Sequence, residues 1–109
     1  MADDNAGMIE RLYAVIAARR NADAGTSYTA NLLSKGVDDV ARKLGEEAVE
    51  TMIAAAREDK AAAVRESADL IYHLLVLWAR LGIAPEEVAA ELKRREGQSG
   101  IAEKQSRGK

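Results

Sequence analysis

The sequence predicts an all-α fold, a short bundle of about five helices completed by dimerisation. Three observations lead there. Ala, Leu, Glu and Arg abound while Phe is absent and aromatic residues make up 4%, a mixture that favours helix over sheet. Apolar residues recur at i, i+3, i+4 spacing through most of the chain. The stretch Leu70-Ile71-Tyr72-His73-Leu74-Leu75-Val76-Leu77-Trp78 is apolar nearly all round, which marks a helix buried on more than one side. One short neighbour cannot cover such a helix, and a chain of 109 residues has little core of its own. A second subunit is the expected partner.

The elements follow in order. Residues 1–7 read as a polar, disordered lead. Ile9, Leu12, Tyr13 and Ile16 give an amphipathic helix from about Met8 to Arg20. Asn21 to Thr26 is a loop by composition. Ser27 or Thr26 then caps a short helix carrying Tyr28, Leu32 and Leu33, which Gly36 ends. Asp38 and Asp39 open a third helix where its dipole welcomes negative charge. Val40, Leu44, Ala48, Met52 and Ala55 form its apolar stripe up to about Arg57. Glu58-Asp59-Lys60 is the turn into a fourth helix, about Ala61 to Leu81, capped by Gly82. Pro85 suits the first turn of a fifth helix with Val88 and Leu92 facing in. Residues 8–96 form one domain, and 97–109 read as a polar, flexible tail.

Bulk properties exclude several classes. A net charge of −2 argues against nucleic acid as a partner. The absence of Cys removes disulfides, thiolate catalysis and Cys-based zinc sites. The acidic N-terminus is no secretory signal. The most apolar run, Leu70 to Leu81, contains His73 and Arg80 and is too short to span a membrane. A cytoplasmic protein is expected.

The chemistry lies in the acids. Glu46, Glu47 and Glu50, then Glu66 and Asp69, are set among Leu44, Val49, Ile53, Ala68, Leu70 and Ile71. A charged carboxylate under apolar surface is costly unless a cation or strong donor meets it. Glu47/Glu50 and Glu66/Asp69 are i, i+3 pairs, so each shares a helix face. The short turn between the two helices makes an antiparallel hairpin and brings the pairs level. Such convergence points to a divalent metal site. Its oxygen-only ligands suit Mg²⁺ or Mn²⁺ and phosphoanhydride cleavage. Five acids exceed the need of one ion: either two metals bind, or one acid is a base orienting water.

Plainer readings stand beside this one. Glu46, Glu47 and Glu50 form an ordinary solvated face if Lys43 pairs with Glu47 at i, i+4. A di-iron bundle wants Glu-x-x-His, and Leu70 stands three residues before His73, the one His. His73 follows Asp69 by one turn and is expected to support that carboxylate as a donor rather than to bind metal. Ser27-Tyr28-Thr29 reads most simply as a cap and a core Tyr. Arg19, Arg20, Lys35, Lys43, Arg94 and Arg95 are candidate phosphate contacts among which periodicity does not choose.

Ser27-Tyr28-Thr29, Lys43-x-Gly45-Glu46-Glu47-x-x-Glu50-Thr51 and Glu66-x-x-Asp69-Leu70-x-Tyr72-His73-Leu74-Leu75-Val76 together resemble the phosphoribosyl-ATP pyrophosphohydrolases. These belong to the all-α, MazG-like nucleotide pyrophosphohydrolases, whose signature is Glu-Glu-x-x-Glu followed by Glu-x-x-Asp. The resemblance runs from about Leu12 to Arg95. The acid signature marks only the superfamily; the Ser-Tyr-Thr and Tyr-His runs are particular to this branch. It implies Mg²⁺-dependent hydrolysis of 1-(5-phosphoribosyl)-ATP to the AMP derivative and pyrophosphate, the second step of L-histidine biosynthesis, by a homodimer. It further implies Glu47, Glu50, Glu66 and Asp69 as metal ligands, with Glu46, Glu47 and Glu50 catalytic. Arg19, Ser27, Tyr28, Thr29 and Lys43 match positions that contact substrate. Asn31 departs from the Lys of many relatives and is given no phosphate contact. The cyclohydrolase domain often fused ahead in the family is not seen in this sequence, and the next step is expected to reside on another polypeptide. Two other functions fit the residues: a house-cleaning nucleoside-triphosphate pyrophosphohydrolase of the same fold, and a non-catalytic helical dimerisation module.

Overall fold

A computed structural model describes residues 7–21, 25 and 27–97. Residues 1–6 of the expected lead (1–7), loop residues 22–24, Thr26 and residues 98–109 of the expected tail lie outside the described residues. Among the described residues there are five α-helices and no strand. They are α1 (Met8–Ala18), α2 (Tyr28–Leu33), α3 (Val37–Ala56), α4 (Lys60–Leu81) and α5 (Pro85–Arg94), with a 3-10 turn, Arg19–Asn21, after α1.

Local chemistry explains the ends. Ser27 caps α2, its Oγ accepting from the Ala30 N–H at 3.1 Å. Asp59 caps α4, accepting from Ala62 N–H at 3.0 Å. At the far end of α4, Gly82 adopts a left-handed φ of 75°. Its N–H bonds to the Ala79 carbonyl, and the Ile83 N–H reaches back to Trp78, which is the Schellman arrangement. The α3 terminus has the same bonds, from Glu58 to Ala55 and from Asp59 to Ala54. There the left-handed residue is Glu58, at φ 54°, rather than glycine. Pro85 opens α5, and the Glu87 carboxylate accepts from Ala84 N–H at 2.9 Å.

The core lies around the C-terminal half of α4. Leu75, Val76 and Ala79 pack with Ile16 of α1, Leu32 and Leu33 of α2, and Val40 of α3. Arg20 ties the 3-10 turn to this region by donating to the Ala79 carbonyl, and Arg80 donates to the Lys35 carbonyl at 3.0 Å. Toward the α3–α4 turn the hairpin emerges from the core.

Two packing expectations change. In α3 the buried residues are Val40, Glu47 and Ala54, while Met52 of the expected stripe is 65% exposed and Ala55 is also exposed. Nearer the turn α3 meets α4 through Glu47, Glu50 and Ala54, which leaves Met52 and Ala55, the far end of the stripe, exposed, while Val40 stays in the core. Val88 is half-buried as expected, whereas Leu92 is 61% exposed along the rim of a groove between α4 and α5. No single helix among the described residues is long and apolar enough to cross a membrane.

Candidate metal centre

Lys43, Glu47, Glu50, Ala54 and Arg57 succeed one another at intervals of four and three residues, so they form one stripe along α3. The hairpin sets that stripe against α4 in register. Glu50 and Glu66 each lie six residues from the helix end at the turn, and Glu47 and Asp69 each lie nine. Counted the same way, Lys43 is level with His73 and Ala54 with Ala62. The result is a ladder of facing residues: a cation and a histidine, two rungs of acids, then two alanines.

The acids converge. Glu47, Glu66 and Asp69 each bring one carboxylate oxygen within 4.8 Å of the others. Glu47 is 6% exposed, and Glu66 Oε1 is buried without a hydrogen-bond partner. Glu66 titrates above the ordinary glutamate value, because burial opposes its charge and Glu50, Asp69 and Glu47 add their own. A buried carboxylate oxygen with no donor, facing two further carboxylates, is a set that could hold a cation. All-oxygen donors suit a hard divalent ion. Glu50 stands at the edge of this set, beside Glu66 and exposed.

Lys43 meets the acids from α3 itself. Lys43 Nζ lies 3.5 Å from Glu47 Oε2 and 3.6 Å from Glu46 Oε1, which is the i, i+4 pairing of the plainer reading. It is held above the usual lysine value by the Tyr28 oxygen first, and then by Glu47 and Glu46 against partial burial. Glu46 itself turns outward to Arg42 at 3.0 Å and does not join the three-acid set.

Above the Lys43 rung sits an aromatic group. Tyr28 is 55% exposed rather than a core residue. Its ring stacks on Tyr72 at a centroid distance of 6.3 Å and 18°, and meets the edge of His73 at 6.1 Å. The Tyr28 hydroxyl is raised above its ordinary pKa, chiefly by burial and despite Lys43, with Tyr72, Glu47 and Asp69 adding to the rise. Thr29 Oγ1 bonds the Tyr72 hydroxyl. His73 is buried, but its support goes to the main chain of Asp69: Nδ1 lies 2.7 Å from the carbonyl oxygen, not on the carboxylate. The helix geometry accounts for this, since the carbonyl one turn back is directly beneath the ring.

Arg19 is exposed on the 3-10 turn, and no hydrogen bond or ion pair among the described residues joins it to the acids. Arg94 and Arg95 both engage Glu91, holding its pKa down to about 2 through hydrogen bonds from Arg94 and then Arg95. Sequence reasoning passed over Tyr72, Ala54 and Arg57 as site residues. The signal for the last two was present, because they extend the Lys43-Glu47-Glu50 spacing. Arg57 lines a cavity of about 170 Å³ that also borders Glu50, Ala54, Ala62 and Glu66.

A family model described as phosphoribosyl-ATP pyrophosphohydrolase matches residues 9–96, which include every rung of the ladder. The chain belongs to that family. Among curated phosphoribosyl-ATP pyrophosphohydrolase relatives, each named "Phosphoribosyl-ATP pyrophosphatase", the protein of Parvibaculum lavamentivorans is 60% identical over 104 residues, covering 95% of both chains. That of Azospirillum brasilense is 56% identical and covers 98% of both. The Paramagnetospirillum magneticum protein is 55% identical over 109 residues, covering 100% of this chain and 99% of its own. The phosphoribosyl-ATP pyrophosphohydrolase match thus spans the acid hairpin and the Tyr28–His73 group together.

Proposed function

We propose that this chain hydrolyses 1-(5-phosphoribosyl)-ATP to 1-(5-phosphoribosyl)-AMP and pyrophosphate, as a Mg²⁺-dependent, cytoplasmic homodimer serving the second step of L-histidine biosynthesis. The observation that carries the reading is the unpartnered Glu66 oxygen between Glu47, Asp69 and Glu50, in a chain of this family.

Glu47, Glu66 and Asp69 hold the cation, with Glu50 completing the set from the turn side. Mg²⁺, or Mn²⁺ in its place, supplies charge neutralisation of the polyphosphate and a more acidic water. The protein's own part is positioning and proton transfer. Water oxygen attacks phosphorus, the α–β phosphoanhydride bond breaks, and pyrophosphate leaves with the bonding electron pair. Glu50, exposed and outside the three converging acids, accepts the proton of that water. Glu47 is both ligand and anchor, since Lys43 holds it in place. Glu46 acts at a distance by sharing Lys43. The Lys43 ammonium lies where substrate phosphate arrives, and the exposed face of Tyr28 offers a surface for base or ribose. Ser27 and Thr29 secure that tyrosine, one as cap and the other through Tyr72. Arg19 contributes from the neighbouring turn.

Dimerisation is supported by the apolar surface that the hairpin leaves open, with Val49, Met52, Ile53 and Val64 exposed together near the acids. A substrate panel with Mg²⁺ tests the reading. Phosphoribosyl-ATP is expected to turn over faster than deoxynucleoside triphosphates. The reverse order assigns the chain to house-cleaning hydrolysis, and no turnover with any of them leaves a non-catalytic module.

A further inference from the structure

The acid rungs lie between two unlike ends. Toward the core are Lys43, Tyr28 and Tyr72, with stacked rings and an exposed aromatic face. Toward the turn the ladder narrows to the Ala54/Ala62 rung, and two small side chains leave the 170 Å³ cavity. This is well below the about 300–1,000 Å³ of pockets for drug-sized ligands, and its apolar walls are Ile53, Ala54 and Ala62 with no aromatic surface. A purine nucleoside has neither the room nor a stacking partner there. A small anion does.

Arg57 closes that end. It stands two helical turns past Glu50, about 10 Å along α3, and has no ion pair or side-chain hydrogen bond among the described residues. Asp59 also lines the cavity, with one carboxylate oxygen engaged as the α4 cap. Arg57 is therefore a cation lining the cavity with its fork unused, and a guanidinium fork matches phosphate oxygens.

From this we propose that the site has a fixed polarity: the cavity between Glu50 and Arg57 receives the pyrophosphate half of the substrate, and the Tyr28–Tyr72 side receives the phosphoribosyl-AMP half. The proposal rests on the pyrophosphohydrolase reading and adds Arg57 as the residue that holds the leaving group. Glu50, Asp59 and Glu66 border the same cavity, so pyrophosphate enters only with a divalent cation to offset them.

Calorimetric titration of inorganic pyrophosphate and, separately, AMP into the Mg²⁺-loaded protein tests this without turnover. Arg57→Gln is expected to weaken pyrophosphate by about tenfold, the scale of one charge-assisted hydrogen bond, while AMP binds as before. Arg57→Lys recovers part of the loss. Ala62→Leu, which fills the cavity, likewise weakens pyrophosphate alone. Unchanged pyrophosphate affinity in Arg57→Gln overturns the proposal, as does an equal loss for both ligands or pyrophosphate binding without a divalent cation. Assayed in parallel, wild-type protein that hydrolyses phosphoribosyl-ATP yet shows such results contradicts the polarity alone; protein with no turnover contradicts the activity as well.

Discussion

The Tyr28 hydroxyl lies 3.0 Å from His73 Nε2, which joins the first residue of α2 to the middle of α4. The opposite ring nitrogen fixes the direction of that bond. A carbonyl only accepts, so His73 Nδ1 carries the proton toward Asp69, and in the neutral ring Nε2 must accept from Tyr28. Tyr28→Phe keeps the ring stack but leaves a buried nitrogen unpaired, at an expected cost of about 1–3 kcal/mol. In a His73→Leu background the same change is expected to be nearly neutral, and a double-mutant cycle by urea denaturation measures the difference. Equal costs in both backgrounds contradict the coupling.

Glu66→Gln is expected to separate stability from metal response. A carboxyl whose folded pKa is raised binds more protons folded than unfolded, so stability is full below the ordinary glutamate value. It falls as pH rises from there through the folded pKa. The glutamine variant lacks that loss and melts higher than wild type at neutral pH without metal. It also gains less when Mg²⁺ is added, because a native-state ligand raises the midpoint only where it binds. A lower metal-free midpoint at neutral pH contradicts the assignment.

Glu58 occupies the left-handed position that closes α3, a conformation costing roughly 1–2 kcal/mol for a residue with a Cβ. Glycine relieves it but adds freedom to the unfolded chain. Glu58→Gly is expected to stabilise by about 0.5–1 kcal/mol, read as a rise of a few degrees in melting temperature. A fall in the midpoint shows that the turn tolerates glutamate without strain.

Met52 is the most exposed of the large apolar residues on the hairpin. Met52→Glu places a charge in the proposed subunit interface and is expected to shift a dimer to monomer in light scattering. A variant that stays dimeric moves the interface to another face.

Much of the centre was legible because helical periodicity and a short turn are strong constraints. The i, i+3 spacing of Glu47/Glu50 and Glu66/Asp69, with the Glu58-Asp59 turn, fixes which acids face each other. Periodicity failed where the inward face was polar. Met52 and Ala55 read as core because apolar residues on a helix usually face their partner, whereas here the partner helix is met by acids. Tyr28 and Glu46 show the same limit: the spacing makes one a core residue and it stands half exposed, while it groups the other with the acids and that side chain turns outward to Arg42. Contacts between α2 and α4, such as Tyr28 with His73, depend on a loop path that no spacing rule specifies.

The central claim is that Glu47 helps hold a divalent cation that phosphoribosyl-ATP cleavage requires. Pyrophosphate release from phosphoribosyl-ATP by wild type and Glu47→Gln, each with and without Mg²⁺, tests it most directly. Release is expected only from wild type with Mg²⁺, with the variant slower by more than about 100-fold. Release that persists in metal-free buffer, or at the wild-type rate in Glu47→Gln, contradicts it.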